Sequence, residues 1–372
     1  MDRTIVVGAS AAGLYAAERL ASAGRDVTVV ERRPRVDMAP RTLIVTDRMI
    51  DILGPGAAAA VVNQVRRFEL IANGSVGMVE LERPDLVIER SLLVAYLEGR
   101  ARAGGARFVL GARVTDIDVS GEAISVGIKH DGTQSRLRGR VLVGADGARS
   151  RVATRCGWSH PQTVPLVQAI VELPEDSDPE TSKVWFRPRE TPYFLWSIPE
   201  GDGRAAVGII GTGRSDVRPI LDGLLEREGL KAIEHQGAVI PVFDRWVPFH
   251  RSVPGGDVYL VGDAAGQVKI STVGGIVTGF RGAAAVVDSI LGRGRRSAWG
   301  LRRELAAHAL IRRSLNRFEE EDYGVLISRL QGDALSSLAA GNRDEAVKLL
   351  FRFGRARPGI ALKAVATALS RA

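Results

Sequence analysis

Ile5-Val6-Val7-Gly8-Ala9-Ser10-Ala11-Ala12-Gly13 is an apolar run that breaks into a turn of small residues. Residues 4–7 are β-type, and 14–23 has helical spacing with Ala17 and Leu20 on one face. Gly24 stops that helix, and Val27-Thr28-Val29-Val30 reads as a second buried strand ending at Glu31. The pattern predicts a βαβ unit whose first turn holds the pyrophosphate of a dinucleotide. Gly8 allows the tight turn and Gly13 the close packing of the helix, while Ser10 stands where G-x-G-x-x-G has its middle glycine. Serine is small enough to let the helix N-terminal N–H groups approach a phosphate. Glu31, 18 residues after Gly13, is placed to accept hydrogen bonds from a ribose. The predicted contacts are therefore Gly8, Ser10, Ala12, Gly13, Glu31 and the adjoining Arg32.

Composition bounds the rest. With 372 residues, 45% of them hydrophobic and 25% charged, the chain has the make-up of a globular protein with more than one domain. No run approaches 18 apolar residues, and the N-terminus opens directly on a strand instead of a signal peptide, so a cytoplasmic location is expected. A single cysteine, Cys156, excludes an intramolecular disulfide, and five scattered histidines without metal-ligand spacing predict no metal site. Redox chemistry would then use an organic cofactor. Sixteen basic against eight acidic residues lie in 291–372, an excess equal to the +8 of the whole chain. Arg302-Arg303 and Arg312-Arg313 recur among leucines, which predicts a helix with a basic face. That face is either simply solvated or a peripheral contact with anionic lipid; low aromatic content and the lack of any nucleic-acid motif argue against nucleic acid.

Two later segments extend the opening motif. Val141-Leu142-Val143-Gly144-Ala145-Asp146-Gly147 is an apolar strand ending in a turn. Val258-Tyr259-Leu260-Val261-Gly262-Asp263-Ala264-Ala265-Gly266 is another, followed by Thr272-Val273-Gly274-Gly275-Ile276 and a helix. The three pieces together resemble FAD-dependent oxidoreductases of the glutathione-reductase-type superfamily that includes the aromatic hydroxylases. The resemblance implies FAD as cofactor, with Asp263 at the ribityl and pyrophosphate end. It also implies that Asp146, Gly262, Gly274, Gly275 and Ile276 lie near the cofactor, the last helix aiming its N-terminus at the flavin. Arg90, opening a helix over 91–103, matches an arginine that such proteins use near FAD.

The segment Tyr193-Phe194-Leu195-Trp196-Ser197-Ile198-Pro199 is similar to the Trp-x-aliphatic-Pro signature of geranylgeranyl reductases, as are the charged segments Phe318–Tyr323 and Asn342–Glu345 to that family's helical tail. The resemblance implies reduction of carbon–carbon double bonds in an isoprenoid or similarly apolar substrate, with NAD(P)H or another reductant docking transiently. Hydroxylases continue the last motif differently, with a histidine after Gly-Asp-Ala-Ala, although a flavin monooxygenase remains the alternative; a noncatalytic flavin-binding protein is the second. Halogenases share the Trp-x-Ile-Pro element but need a lysine in the N-terminal third, and the first lysine here is Lys129. One departure from the reductases is that residues 36–48 lack the cysteine of archaeal-type members.

Trp185, Phe186, Tyr193, Phe194 and Trp196 place five of twenty aromatic residues within twelve positions. Strand alternation puts Phe194 and Trp196 on one face and Tyr193 on the other, and Tyr193, Phe194 and Trp196 are the predicted substrate pocket. The glycines of 208–213 imitate a second nucleotide turn, but Asp216 at the following helix start would repel phosphate and suits a cap. The expected fold is α/β: a Rossmann-type FAD-binding domain from 1–50, 90–155 and 255–290, an interleaved antiparallel-sheet substrate domain from 51–89 and 156–250, and a helical C-terminal tail from 291 to 372.

Overall fold

The computed structural model describes residues 3–36, 39–213, 216–243, 245–294, 296–328, 343–345 and 347–348. A six-stranded sheet is ordered His250–Val253, Gly256–Leu260, Val141–Gly144, Thr4–Val7, Val27–Val30 and Arg107–Val109. All neighbours are parallel except the hairpin made by the first two. Every residue of Thr4–Val7 and Val27–Val30 is buried, which is why both read as unbroken apolar runs. Period-two alternation divides the load. Val6, Val29 and Val143 pack toward the helices Ala11–Ser22, Arg90–Ala103 and Ile276–Ile290, whereas Ile5, Val7 and Leu142 pack on a three-stranded antiparallel sheet through Ile124, Val126 and Ile128.

A second sheet has eight strands, in the order Ala232–Pro241, Thr163–Glu172, Arg204–Ile210, Leu195–Gly201, Thr181–Trp185, Val61–Ala72, Ser75–Glu89 and Thr42–Val45. It is mixed, and this corrects the expected antiparallel sheet: Thr181–Trp185 runs parallel to Val61–Ala72, and the other six junctions are antiparallel. The physical reason is connectivity. Strands joined by the tight turns Asn73-Gly74 and Asp202-Gly203, all four residues at positive φ, are forced to be antiparallel. The parallel pair joins segments more than a hundred residues apart, where no hairpin dictates direction. Thr42–Val45, expected in the nucleotide domain, also belongs to this sheet, paired with Ser75–Glu89.

One face of the second sheet, with Leu195, Val207 and Ile209, is covered by the helix Arg218–Arg227 through Leu221, Leu224 and Leu225. Its other face carries Val65, Phe68, Leu166, Trp196 and Ile198. That face packs on Val268, Ile270 and Val273 of the loop before Ile276–Ile290, and on Leu301, Leu305 and Ala309 of the helix Arg296–Leu315. A shorter helix, Glu320–Ser328, follows; the remainder of the expected helical tail lies outside the described residues apart from 343–345 and 347–348. Among the described residues no helix is long and apolar enough to cross a membrane, and no cluster of three or more potential metal ligands occurs.

Candidate cofactor groove and substrate wall

The glycine turn sits against the end of Val141–Gly144. Gly8 has φ 99°, and a Cβ there would come within 2.5 Å of the Ala145 carbonyl oxygen. A Cβ on Gly13 would lie 2.6 Å from the Gly8 carbonyl oxygen. Both positions therefore require glycine, and the backbone is left bare at the start of Ala11–Ser22. Ser10 is the N-cap, its Oγ accepting the Gly13 N–H at 3.2 Å. Ala12 packs on the opposite flank: a Cβ on Gly262 or Gly279 would stand 3.1 or 3.6 Å from its own Cβ, so the first helix, the Gly262 turn and the last helix meet closely there.

Glu31 ends its strand with both carboxylate oxygens engaged. Oε2 accepts the Ala9 N–H at 2.8 Å and Oε1 the Arg33 N–H at 3.1 Å, which ties the glycine turn to the second strand. A carboxylate has about four acceptor positions, so lone pairs remain for ribose hydroxyls. Arg32 is exposed beside it. Asp146, also expected near the cofactor, is held at the start of a helix. Its Oδ2 accepts the N–H groups of Arg151 and Val152 at 2.7 and 3.3 Å, and its Oδ1 the Ser150 hydroxyl at 2.5 Å, so the carboxylate secures the start of the helix Arg151–Arg155.

Asp263 is held in the short 3-10 turn Gly262–Ala265. Its side chain is solvent-accessible yet closely surrounded by protein. The enclosing walls push its pKa up, opposed by the Arg41 and Arg90 guanidiniums. A Cβ on Gly275 would lie 3.4 Å from Asp263 Oδ1, which fixes the aspartate at the N-terminus of Ile276–Ile290. Gly275 is the N-cap of that helix and gives it no side-chain cap, so its first-turn N–H groups are free to meet a ligand. Gly274 lies over the Lys269 side chain, where a Cβ would be 2.5 Å from Cε. Val273 holds φ 53°, an unusual conformation for a β-branched residue, just before these glycines.

Arg41 was missed by sequence reasoning, although it stands in the segment searched for a cysteine. Its N–H donates to Glu89 Oε1 at 3.1 Å, the same oxygen that caps Ser91 at 2.9 Å. Burial lowers the Arg41 pKa; Arg90 is lowered to about 10, by burial and then by repulsion from Arg41 and Arg33. The Nε atoms of both Arg41 and Arg90 are buried without a hydrogen-bond partner among the described residues. Crowded cations with orphaned donors beside a bare glycine turn are what a pyrophosphate would satisfy, so the groove fits a dinucleotide.

The predicted pocket aromatics come together on one face. Tyr193 and Trp196 are buried in the same apolar cluster as Ile270 and Val273, and half-buried Phe194 meets Trp196 edge-on, with centroids 6.0 Å apart. This corrects the expectation that Tyr193 points away: the strand begins only at Leu195, so alternation does not extend back to Tyr193. Trp185 packs on the opposite face and Phe186 stacks on Tyr323 at 4.6 Å, leaving neither in the wall. The N-cap expected at Asp216 of the false nucleotide turn is instead Val217, which gives no side-chain cap; Asp216 stands one residue earlier and accepts the Arg218 N–H at 3.0 Å.

Other polar residues near the loop before Gly274 were not foreseen. Buried Lys269 pairs with Asp344, which also accepts the Thr46 hydroxyl, and Arg343 pairs with Asp85. Desolvation opposes the Asp344 charge, but Lys269 and the hydrogen bonds prevail and hold its pKa at about 2. Residues 343–345 are thereby pinned to the loop. Ser271 Oγ and His308 Nδ1 lie 2.6 Å apart, and burial lowers His308 to about 3, so its ring is neutral. Cys156 is buried and its thiol pushed up to about 11. Finally, Arg302, Arg303 and Arg313 are exposed, but Arg312 is only 4% exposed and does not share their basic face.

Comparison with known proteins agrees with this geometry. The profile of the FAD binding domain family matches residues 2–291. The chain is 28% identical over 365 residues to digeranylgeranylglycerophospholipid reductase 2 of Methanothermobacter thermautotrophicus, covering 90% of this chain and 93% of that protein. It is 30% identical over 347 residues to geranylgeranyl diphosphate reductase of Rhodobacter capsulatus, covering 86% and 83%. Its fold is similar to that of a geranylgeranyl bacteriochlorophyll reductase-like protein of Thermoplasma acidophilum, with a TM-score of 0.78, 18% identity, and coverage of 99% and 100%. The glutathione-reductase-type label gives way to a narrower one: the chain belongs to the FAD binding domain family and is an FAD-dependent oxidoreductase.

Proposed function

We propose that this flavoprotein reduces carbon–carbon double bonds of an isoprenoid or similarly apolar chain. The observation that carries the reading is the aromatic cluster of Tyr193, Phe194 and Trp196, packed on the loop leading to Gly274-Gly275, where half-buried Phe194 marks the edge at which a long apolar chain would enter. Near-full-length similarity to proteins named as geranylgeranyl reductases supports it. The glycine turn, Glu31, Arg41, Arg90, Asp263 and the start of Ile276–Ile290 would hold FAD, whose reduced ring supplies a hydride to one alkene carbon. The chain excludes water from that face through Trp196, Ile198, Ile270 and Val273. The second alkene carbon takes a proton from Tyr193, from water or from a backbone group. Burial keeps the Tyr193 hydroxyl protonated. NAD(P)H or another diffusible reductant would supply the electrons. Incubation with a geranylgeranyl acceptor and dithionite under nitrogen tests the reading: a product gaining two hydrogens per double bond supports it, and recovery of unchanged acceptor counts against it.

We further propose peripheral contact with anionic lipid, which would present such chains. Arg293, Arg296, Arg302 and Arg303 are exposed in a stretch without an acidic residue, and Trp299 is 65% exposed with the Arg302 guanidinium 5.9 Å from its ring. Beside them Trp246, Pro248 and Phe249 help line a recess of about 180 Å³. Exposed tryptophan among arginines is the composition of a membrane-surface contact.

A further inference from the structure

We propose that Arg312 anchors an oxyanion headgroup, a phosphate or diphosphate, carried by the apolar substrate. The inference rests on the function proposed above and adds the polar end of the substrate to it. Along Arg296–Leu315 the residues Leu301, Leu305 and Ala309 form the stripe that packs on Trp196, Ile270 and Val273. Arg312, three residues after Ala309 and seven after Leu305, continues that stripe, where an apolar residue belongs. It is 4% exposed.

The guanidinium has a fixed orientation and an unused edge. Its Nη1 donates to the Pro192 carbonyl oxygen, and its centre lies 5.1 Å from the centroid of the Tyr193 ring. Nε and Nη2 are both enclosed and have no hydrogen-bond partner, and no carboxylate pairs with the group among the described residues. Its electrostatic partners are the rings of Tyr193 and Tyr323, which carry no formal charge because burial raises the pKa of both. The Nε–Nη2 edge is the one that forms parallel hydrogen bonds with two oxygens of a phosphate. A buried cation without a counter-charge is costly, and an arginine stays protonated even when burial lowers its pKa. A clamp on Pro192 would need one N–H of the five. A headgroup at Arg312 would leave its chain on Tyr193 and Trp196, the wall that continues to Ile270 and Val273 beside the cofactor groove.

The test is calorimetric titration of the oxidised holoenzyme with geranylgeranyl diphosphate, with geranylgeraniol, which has the same chain without charge, and with inorganic diphosphate. Wild type should bind the diphosphate ester at least about tenfold more tightly than the alcohol. Arg312→Gln should lose most of that preference while its affinity for the alcohol is kept, and Arg312→Lys, which retains charge but not the fork, should fall between. Equal wild-type affinity for ester and alcohol would overturn the proposal, as would an equal loss for both ligands in Arg312→Gln, which marks a structural clamp. Inorganic diphosphate binding as tightly as the ester would also overturn it, by showing a free-anion site. If Arg312→Gln does not fold, the wild-type comparison and Arg312→Lys still decide. No turnover is involved, so failure to reduce any prenyl acceptor would defeat the proposed reaction without touching this result.

Discussion

Trp196 lies flat against Gly208, its partner on the adjacent strand: a Cβ at residue 208 would come within 2.3 Å of the indole Cζ2. The glycine that sequence reading set aside as part of a false nucleotide turn is thus what allows the largest aromatic of the wall to lie down.

Gly208→Ala should displace that ring. Overpacking typically costs about 1–3 kcal/mol, so the melting temperature should fall while FAD content per protein stays constant, because the cofactor groove is built from other segments. Binding of a prenyl ligand should weaken. Unchanged ligand affinity in a folded variant would remove Trp196 from the substrate wall.

Glu31→Ala should release FAD on dilution or gel filtration, since it deletes the acceptor of the Ala9 and Arg33 N–H groups together with the predicted ribose contact. Hydrogen bonds to a charged group are worth about 1.5–3 kcal/mol, enough for a ten- to hundredfold loss of affinity. Full flavin retention measured by absorbance would take Glu31 out of the site.

These two sites show where the sequence was sufficient. The βαβ unit was legible because a strand, a glycine turn and a helix are local, and the burial of Thr4–Val7 and Val27–Val30 on both faces leaves a continuous apolar signal. Tyr193 was put on the wrong face because the position where a strand begins depends on its neighbours. Arg41 and Arg312 carry no local signature: one matters through Glu89 and Asp263, the other through Pro192 and Tyr193, all distant in the chain. The same holds for the parallel junction between Thr181–Trp185 and Val61–Ala72.

Stability should fall with rising pH partly through Glu200, whose pKa is raised to about 7 by burial and then by Glu89. A raised carboxyl binds more protons in the folded than in the unfolded state, so its contribution is full below the unfolded value of 4.5 and is lost as pH rises through 7. Glu200→Gln, which keeps a polar partner for Thr42 Oγ1, should flatten that slope and be more stable than wild type at pH 8. The gain should be on the order of 1 kcal/mol, since the side chain is only half-buried and solvent screens it. Denaturant melts of both proteins between pH 4 and 8 check this, and parallel slopes would contradict it.

Replacing Arg293, Arg296, Arg302 and Arg303 with glutamine should abolish cosedimentation with anionic liposomes at low salt and leave FAD content intact. Each arginine near such a surface is worth about 1 kcal/mol, and added salt screens it. Trp299→Ala should weaken binding in a way salt does not restore. Recovery of wild type in the supernatant with anionic and neutral vesicles alike would return this face to plain solvation.

The reaction itself is tested most directly by single turnover without oxygen. The flavin is reduced stoichiometrically with dithionite under nitrogen, a geranylgeranyl acceptor is added, and the oxidised-flavin absorbance is followed while the product is analysed. The proposed reduction predicts that the absorbance returns in step with a product carrying two more hydrogens per flavin reoxidised. Flavin that stays reduced until oxygen is admitted, and then yields an oxygenated product, would contradict it and identify a monooxygenase.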